Sequence, residues 1–423
     1  MTIDPRLEHL ASTRSGYTSD SRVATPDDVF VALAGDSRDG HDFVPELLAR
    51  GVACVVERGR VRFDAAAPVA EVADTHEAHR QLAALFRRRF AGPVVGIGGS
   101  SGKTTAKEFT ASILGAAMRV AKTERSQNGE LGVPRTLERL RAGVDVAVVE
   151  IGIDAPGDMA RHVGIVAPDV AVLTSIGEEH LNLLGTVENV FREEAILFEA
   201  TLARGGVAFA PEDDPWLARL KERPGVTLVP SDPERLDPAL DCPLTHPYAR
   251  RNASLACAVA LHLGMPAAAI RPVLATLEPP EGRGQERILP EGTVVLLDHY
   301  NANPSSLRAG LEAARLRAAS ASLPLRLVLG DMLDLGTETV RAHEGMVADL
   351  RAAAAASLWL VGPEWSRLAD RLAGAAGELR VFPDSAAAAR EAAALRLPPS
   401  VVLVKGSRGM ALERVLRGLG VEA

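Results

Sequence analysis

Lysine is the scarcest charge in this sequence. The 423 residues include 47 Lys and Arg together, and only five of these, Lys103, Lys107, Lys122, Lys221 and Lys405, are lysine. A lysine inside a loop of small residues is therefore not compositional noise. Cysteine is sparser still, with Cys54, Cys242 and Cys257 far apart, which excludes a disulfide framework and a zinc site and fits a reducing compartment. A basic excess is missing as well. The formal charge of -8 argues against a nucleic-acid partner, whose affinity depends on clustered Lys and Arg. Long apolar runs are absent: the longest, Ala352 to Val361, is too short to span a bilayer. The opening Met1-Thr-Ile-Asp-Pro-Arg6 has no apolar signal core, so the expected location is cytoplasmic. No period of repeat length occurs. No convincing Cys/His pairing is found, and cysteine nucleophile schemes find no support. A dinucleotide G-x-G-x-x-G with a following acid is missing too.

What is present is the composition of a globular protein, 47% apolar and 24% charged, too long for one core and suited to two or three domains. One stretch organises the rest. Val94-Val-Gly-Ile97 reads as a buried strand, Gly99-Ser-Ser-Gly102 as a loop, and Lys103-Thr-Thr105 as the start of a helix. Such a loop wraps an anion with backbone N–H groups and a helix N-terminus, which favours ATP phosphates. Lys103 would neutralise the outer phosphates and the Thr104 hydroxyl would meet magnesium. The general G-x-x-x-x-G-K-[ST] pattern asks for glycine where Ile97 stands, so this is a shortened form.

Taken in order, residues 1–90 read as a small α/β unit, with strands at Val29–Leu33, Ala53–Glu57 and Val69–Val72. Its last helix runs from an Asp74 cap to about Phe90. Ala91-Gly-Pro93 is a turn and a boundary. From there to 282, apolar runs near 94–98, 119–123, 146–151, 170–175 and 206–210 alternate with helical patterns. That alternation predicts a parallel sheet with helices on both faces and ligands beyond the strand ends. Leu277-Glu-Pro-Pro-Glu-Gly-Arg-Gly284 is a linker by composition. Residues 283–423 form a second α/β series, with strands from Thr293 and near 325–329, 357–361 and 400–404. The prediction is three α/β domains: a small N-terminal one, a central phosphate-loop one with a parallel sheet, and a Rossmann-like C-terminal one.

Polar residues gather at the strand ends. Glu150 closes Val146-Ala-Val-Val-Glu150 and, downstream of a phosphate loop, has the position of a magnesium residue. His180 in Gly177-Glu-Glu-His180 could be a ligand, but by itself is better explained as a surface histidine in an acidic turn. Asp298-His-Tyr-Asn-Ala-Asn-Pro-Ser-Ser306 carries more hydrogen-bonding side chains than a helix cap needs. Lys405-Gly-Ser-Arg408 sets two cations and a hydroxyl after a buried strand, which suits a carboxylate-bearing ligand.

Together these motifs resemble the ATP-dependent Mur ligases of peptidoglycan synthesis over nearly the whole length. Ser19-Asp-Ser-Arg22, Phe30-Val-Ala-Leu-Ala-Gly35 and Gly40-His-Asp-Phe43 are similar to the family's uridine-nucleotide-holding domain, which puts Ser21 and Arg22 in a substrate site. Gly99-Ser-Ser-Gly-Lys-Thr-Thr105 is similar to the Mur phosphate loop, which accounts for its shortness. Asn128, Leu131-Gly-Val-Pro134, Glu150-Ile-Gly152 and His180-Leu181 match the central domain. Asn252 resembles an asparagine near the adenine, and Arg283 an interdomain arginine. Asp298, Tyr300-Asn-Ala-Asn-Pro304, Gly330-Asp-Met332, Leu335-Gly336, His343 and Val404-Lys-Gly-Ser-Arg408 resemble the C-terminal domain of the member that adds D-alanyl-D-alanine. The Asp-Asn-Pro-Arg signature of the relative that adds the third residue is absent. Departures are Gly129 and Leu255, where asparagine is usual, and Glu194, where the family carries a carbamylated, metal-binding lysine.

The resemblance implies ATP and Mg2+ as cofactors, and UDP-N-acetylmuramoyl-tripeptide and D-alanyl-D-alanine as partners of a monomeric enzyme. It assigns Gly99, Ser100, Ser101, Gly102, Lys103, Thr104 and Thr105 to the phosphates, and Asn252, Arg283 and Asp298 to the rest of the nucleotide. Thr104 and Glu150 would hold one magnesium, His180 and Glu194 a second, with Lys103, Glu150 and His180 the catalytic group. Asn128, Asn301, Asn303, Lys405, Ser407 and Arg408 would meet the dipeptide or the tripeptide end. A folylpolyglutamate- or cyanophycin-type ligase, or a nucleotide-driven switch protein, are the alternatives.

Overall fold

The computed structural model describes residues 3–35, 38–333, 335–395 and 398–421. Its apolar runs are strands of three sheets. In the first, β1 (Gly16–Thr18), β2 (Asp28–Val31), β3 (Ala53–Glu57) and β4 (Val69–Val72) lie in chain order, all parallel. The second holds β5 (Val94–Gly98), β6 (Val120–Lys122), β7 (Val146–Glu150), β8 (Val170–Leu173), β9 (Val207–Pro211) and β10 (Val226–Val229). Its order is β10-β9-β8-β5-β7-β6, again parallel. The third holds β11 (Gln285–Ile288), β12 (Val294–Asp298), β13 (Leu325–Gly330), β14 (Ala355–Val361), β15 (Ala376–Phe382) and β16 (Val401–Lys405), in the order β11-β12-β16-β13-β14-β15. There β11 runs antiparallel to β12 and the other pairs are parallel. Parallel neighbours need crossover helices, which cover both faces, and so every residue of β5, β7 and β16 is buried.

Apolar runs disclose the central buried strands but not β1, which is fully buried yet only three residues of mixed polarity. β10 and β15 sit at sheet edges, are only partly buried and carry polar residues, so they lack that signal. The predicted Val29–Leu33 strand is Asp28–Val31, because buried Asp28 accepts from Thr25 Oγ1 at 2.8 Å and pairs with Arg141. The short helix Val44–Ala49 is preceded by a 3-10 turn, Gly40–Phe43. Asp74 does cap the helix Thr75–Arg89, accepting from His76 N at 2.8 Å and Glu77 N at 3.2 Å; such a cap is worth about 1 kcal/mol.

The first two sheets share one apolar core. Leu7, Tyr17, Val29 and Val55 belong to the same buried cluster as Val149, Leu173 and Leu197. Tyr17 stacks on Phe86 at 5.2 Å and its hydroxyl donates to Pro134 O at 2.6 Å, crossing from one sheet to the other. The third sheet keeps its own clusters, around Leu327 and Leu403 on one face and Val402 and Val415 on the other. Its hydrogen bonds to the rest include Arg283 Nη2 to Ser126 Oγ at 3.3 Å and Asn303 Nδ2 to Ser101 Oγ at 3.4 Å. A polar junction of this kind permits movement that a shared core forbids. The described helices include none long and apolar enough to cross a membrane.

Candidate active site

β5 lies in the middle of the second sheet, and the loop leaving its C-terminal end is built on two obligatory glycines. Gly99 has φ +112°, and a Cβ there would stand 2.5 Å from Thr174 Oγ1; Gly102 has φ +94° and abuts the Asn252 amide. Alanine suits neither position. The loop's outer amides are already engaged. Gly99 N donates to Glu194 Oε2 (2.8 Å), Ser100 N to Ser175 O (2.8 Å) and Ser101 N to Ser175 Oγ (3.0 Å). That leaves the N–H groups of Lys103, Thr104 and Thr105, the first turn of the helix Lys103–Gly115, without intrahelical acceptors. An anion fits there.

Lys103 is nearly buried and donates to Gly99 O at 2.6 Å and to Glu179 Oε1 at 3.1 Å. Burial opposes its charge, but Glu179, Glu194 and Glu150 outweigh burial and hold its pKa above the usual lysine value. Thr104 Oγ1 donates to Glu150 Oε1 at 3.0 Å and lies 3.2 Å from Ser126 Oγ. Asn128 Nδ2 donates to the same Glu150 oxygen at 2.7 Å, while Glu150 Oε2 is buried with no hydrogen-bond partner. An oxygen-only donor set with a free carboxylate oxygen is the chemistry magnesium selects.

The facing wall comes from the third sheet. Asp298 ends β12 and Lys405 ends β16, and Lys405 Nζ donates to Asp298 Oδ2 at 2.7 Å and to Asn301 O at 3.0 Å. Asn303 caps the helix Pro304–Ala321 through Ser306 N at 2.8 Å, a reciprocal capping box. Between this wall and the helix Pro247–His262, which brings His246, Tyr248 and Asn252, lies a cleft of about 320 Å3 running to Lys103, Thr104 and Glu150. Of the residues expected at the dipeptide, Asn301, Asn303 and Lys405 thus face the same cleft as the phosphate loop. Ser407 is buried and ties loops together, accepting from Leu333 N at 2.9 Å and donating to Ala302 O at 3.3 Å. Arg408 points elsewhere, over the Tyr300 ring at 5.0 Å, with Arg283 on the same ring at 4.0 Å.

His180 lines the cleft in a left-handed conformation (φ +48°), 3.5 Å from Asp154 and 3.6 Å from Glu179. The neighbouring Glu179 carboxylate raises its pKa. Glu194 is not among the cleft-lining side chains. It is fully buried behind the phosphate loop with Oε1 unpartnered, and burial pushes its carboxyl up to about 8. Glu193, one residue earlier on the helix, turns away and accepts from Gly157 N (2.9 Å) and Met159 N (3.0 Å). Among the described residues no three His, Cys, Asp or Glu side chains converge as a ready-made metal site.

Two further cavities adjoin the cleft. One, of about 520 Å3, shares Thr104, Ser126, Arg283 and Tyr300 with it and adds Arg125, Arg408, Glu413 and His299, whose buried Nδ1 has no partner. The other, of about 1170 Å3, lies between the first and second sheets beside Ser21, Arg22, Arg135 and Gln127. Its floor is set by Glu138, which accepts from Thr18 Oγ1 (3.1 Å), Ser19 N (3.1 Å) and Ser19 Oγ (2.8 Å) and touches His79 Nε2 at 2.8 Å. Sequence reasoning passed over Glu138, Ser126 and Glu179. Only Glu179 had a signal, as the neighbour of His180 in a loop already singled out.

Three stretches match family descriptions: residues 14–87 "Mur ligase family, catalytic domain", 97–229 "Mur ligase middle domain" and 282–408 "Mur ligase, glutamate ligase domain". A UDP-N-acetylmuramoyl-tripeptide–D-alanyl-D-alanine ligase of Treponema pallidum is 32% identical over 438 residues, covering 95% of this chain and 92% of that protein. MurF of Acinetobacter baumannii superposes with a TM-score of 0.80 at 27% identity, over 99% of this chain and 98% of the other. The MurF ligase of Thermotoga maritima, solved in complex with ADP, gives 0.78 at 26% identity, over 98% of each chain.

Proposed function

The chain belongs to the Mur ligase family, and on that premise we propose how its three cavities divide the work of an ATP-dependent ligase that adds D-alanyl-D-alanine to UDP-N-acetylmuramoyl-tripeptide. The carrying observation is the convergence of Lys103, Thr104 and Glu150 from the second sheet with Asp298 and Lys405 from the third around one cleft. The reaction belongs to peptidoglycan precursor synthesis. A near full-length relative at 32% identity favours it over a folylpolyglutamate- or cyanophycin-type ligase. The cleft groups named here all come from one chain, which supports a monomeric enzyme.

ATP takes the 320 Å3 cleft, its adenine end between Asn252 and Asp298 and its phosphates on the N–H groups of Lys103, Thr104 and Thr105. To reach them, Lys103 exchanges Glu179 for phosphate oxygen, and Glu179 is left to His180, 3.6 Å away. Thr104 and the free oxygen of Glu150 would hold magnesium, which when bound spreads the charge of the transferring phosphoryl group. For a second magnesium His180 is the donor that lines the cleft and would hold it; Glu194, expected beside it, stands behind the phosphate loop and outside the cleft lining.

The uridine substrate takes the large cavity at Ser21 and Arg22, with its peptide reaching past Gln127 to Asn128. Its terminal carboxylate attacks the γ-phosphorus, ADP leaves, and an acyl phosphate forms. The dipeptide takes the 520 Å3 cavity, which offers Arg408 and Arg125 to its carboxylate and opens at Thr104 and Ser126 onto the acyl carbon. Its amine adds there, and the tetrahedral adduct expels phosphate. The chain contributes positioning and fixed charge, and no side chain becomes covalently bonded.

Incubation with ATP, D-alanyl-D-alanine and UDP-N-acetylmuramoyl-tripeptides bearing lysine, diaminopimelate or ornithine, followed by mass spectrometry, tests the reading. Amide product should form with at least one tripeptide, and ADP should accumulate beyond one equivalent of enzyme only when both other substrates are present. ADP release without either substrate, and no amide, would instead identify a nucleotide-driven switch.

A further inference from the structure

Lys107 has no part in that reaction, yet it is one of only five lysines and is wholly buried. It stands one helical turn past Lys103 on the phosphate-loop helix. Its Nζ donates to Thr123 O at 2.9 Å and to Arg125 O, and pairs with Glu108 Oε1 at 2.7 Å. An ammonium has three protons to donate, and these three acceptors use them. Glu150 Oε2, 3.6 Å away, therefore feels the charge of Lys107 without receiving a hydrogen bond, and stays open.

The two carbonyls matter because they belong to the stretch of backbone that delivers Ser126 to the site. Arg125 sits at φ +48°, a left-handed turn that an arginine adopts only when held, and the next residue is Ser126. That turn brings Ser126 Oγ to 3.2 Å from Thr104 Oγ1 and 3.3 Å from Arg283 Nη2 of the third domain. Lys107 thus touches both halves of one site: its charge faces Glu150, and its protons fix the carbonyls on either side of Glu124 in the loop that carries Ser126.

We propose that Lys107 is a positioning residue for phosphoryl transfer, its buried ammonium holding the Glu150 carboxylate and the 123–126 loop in register to receive the metal–nucleotide. The proposal rests on the reading of Glu150 as a magnesium-holding carboxylate.

Calorimetric titration of ADP with and without Mg2+ separates the two readings, using wild type, Lys107→Gln, Lys107→Met and, as control, Lys122→Met. Wild type should bind ADP more tightly with Mg2+; no gain there would refute the Glu150 reading itself. In both Lys107 variants ADP alone should bind within about twofold of wild type, while the Mg2+-dependent gain falls roughly 10- to 100-fold, the usual cost of removing a group that orients a metal ligand. Lys122→Met should keep the full gain. A folded Lys107 variant with an undiminished gain overturns the proposal. Should neither variant fold, lysine-selective 15N spectra of the wild type decide it. The Lys107 ammonium signal should move when Mg2+ is added to the ADP complex while those of Lys122 and Lys221 stay fixed, and a stationary Lys107 signal overturns it.

Discussion

Glu194→Gln isolates the carboxyl that the fold buries directly behind the phosphate loop. In the native protein Glu194 is fully buried, accepts from Gly99 N at 2.8 Å through Oε2, and leaves Oε1 without a partner. Burial is the main reason its carboxyl rises from 4.5 to about 8; Lys103 opposes the rise and Glu179 adds to it. The folded state thus keeps a proton that the unfolded chain releases near pH 4.5. Stability from the protonated carboxyl is complete below that pH and is lost progressively as pH rises to about 8. The full rise corresponds to at most about 4–5 kcal/mol. Glutamine keeps a carbonyl oxygen for Gly99 N and cannot ionise, so it escapes the loss. Thermal melts of metal-free protein should then agree within about 2 °C at pH 5, and the variant should melt at least about 5 °C higher at pH 9, given roughly 2–4 °C per kcal/mol for a domain of this size. Parallel melting curves from pH 5 to pH 9 would refute the reasoning, because they would mean that Glu194 already ionises in the folded protein as it does in water.

Three other outcomes follow from the same geometry. Lys103→Ala should lose about two to three decades of turnover, the usual cost of removing a preorganised charge from a developing one, with melting little changed; undiminished ligation would remove Lys103 from the chemistry. Arg408→Ala should raise KM for D-alanyl-D-alanine about tenfold or more, the worth of one charge-assisted hydrogen bond, and leave KM for ATP near its native value; the reverse pattern would move the dipeptide out of the Arg408 cavity. Glu138→Ala, which frees Thr18 and Ser19 together, should raise KM for the UDP-tripeptide by roughly tenfold without altering ADP affinity, as calorimetry and initial rates would show.

Much of this architecture was legible because parallel strands buried on both faces must be written in apolar residues. β5, β7 and β16 are, and their last residues lead straight to Gly99, Glu150 and Lys405. Edge strands such as β15 carry no such constraint and leave little trace in the sequence. Site residues were legible where function imposes an unusual local pattern, as at Gly99–Thr105. They were not where a common residue acts by long-range placement. Glu138 reaches Ser19 across 119 positions and Arg283 reaches Ser126 across 157, and no local spacing announces either. The Asn301–Arg408 group shows the intermediate case. Its chemistry was visible, but which cavity each side chain enters depends on the crossing of β12 and β16 loops, so Lys405 turns to the nucleotide cleft and Arg408 to its neighbour.

In the proposed reaction the tripeptide carboxylate is activated as an acyl phosphate before the dipeptide amine attacks. UDP-N-acetylmuramoyl-tripeptide carrying 18O in its terminal carboxylate, incubated with ATP and D-alanyl-D-alanine, tests it most directly. One 18O atom should appear in each inorganic phosphate released, and the remaining label in the new amide. Unlabelled phosphate alongside amide product would contradict it, because the carboxylate oxygen would then have left by another route.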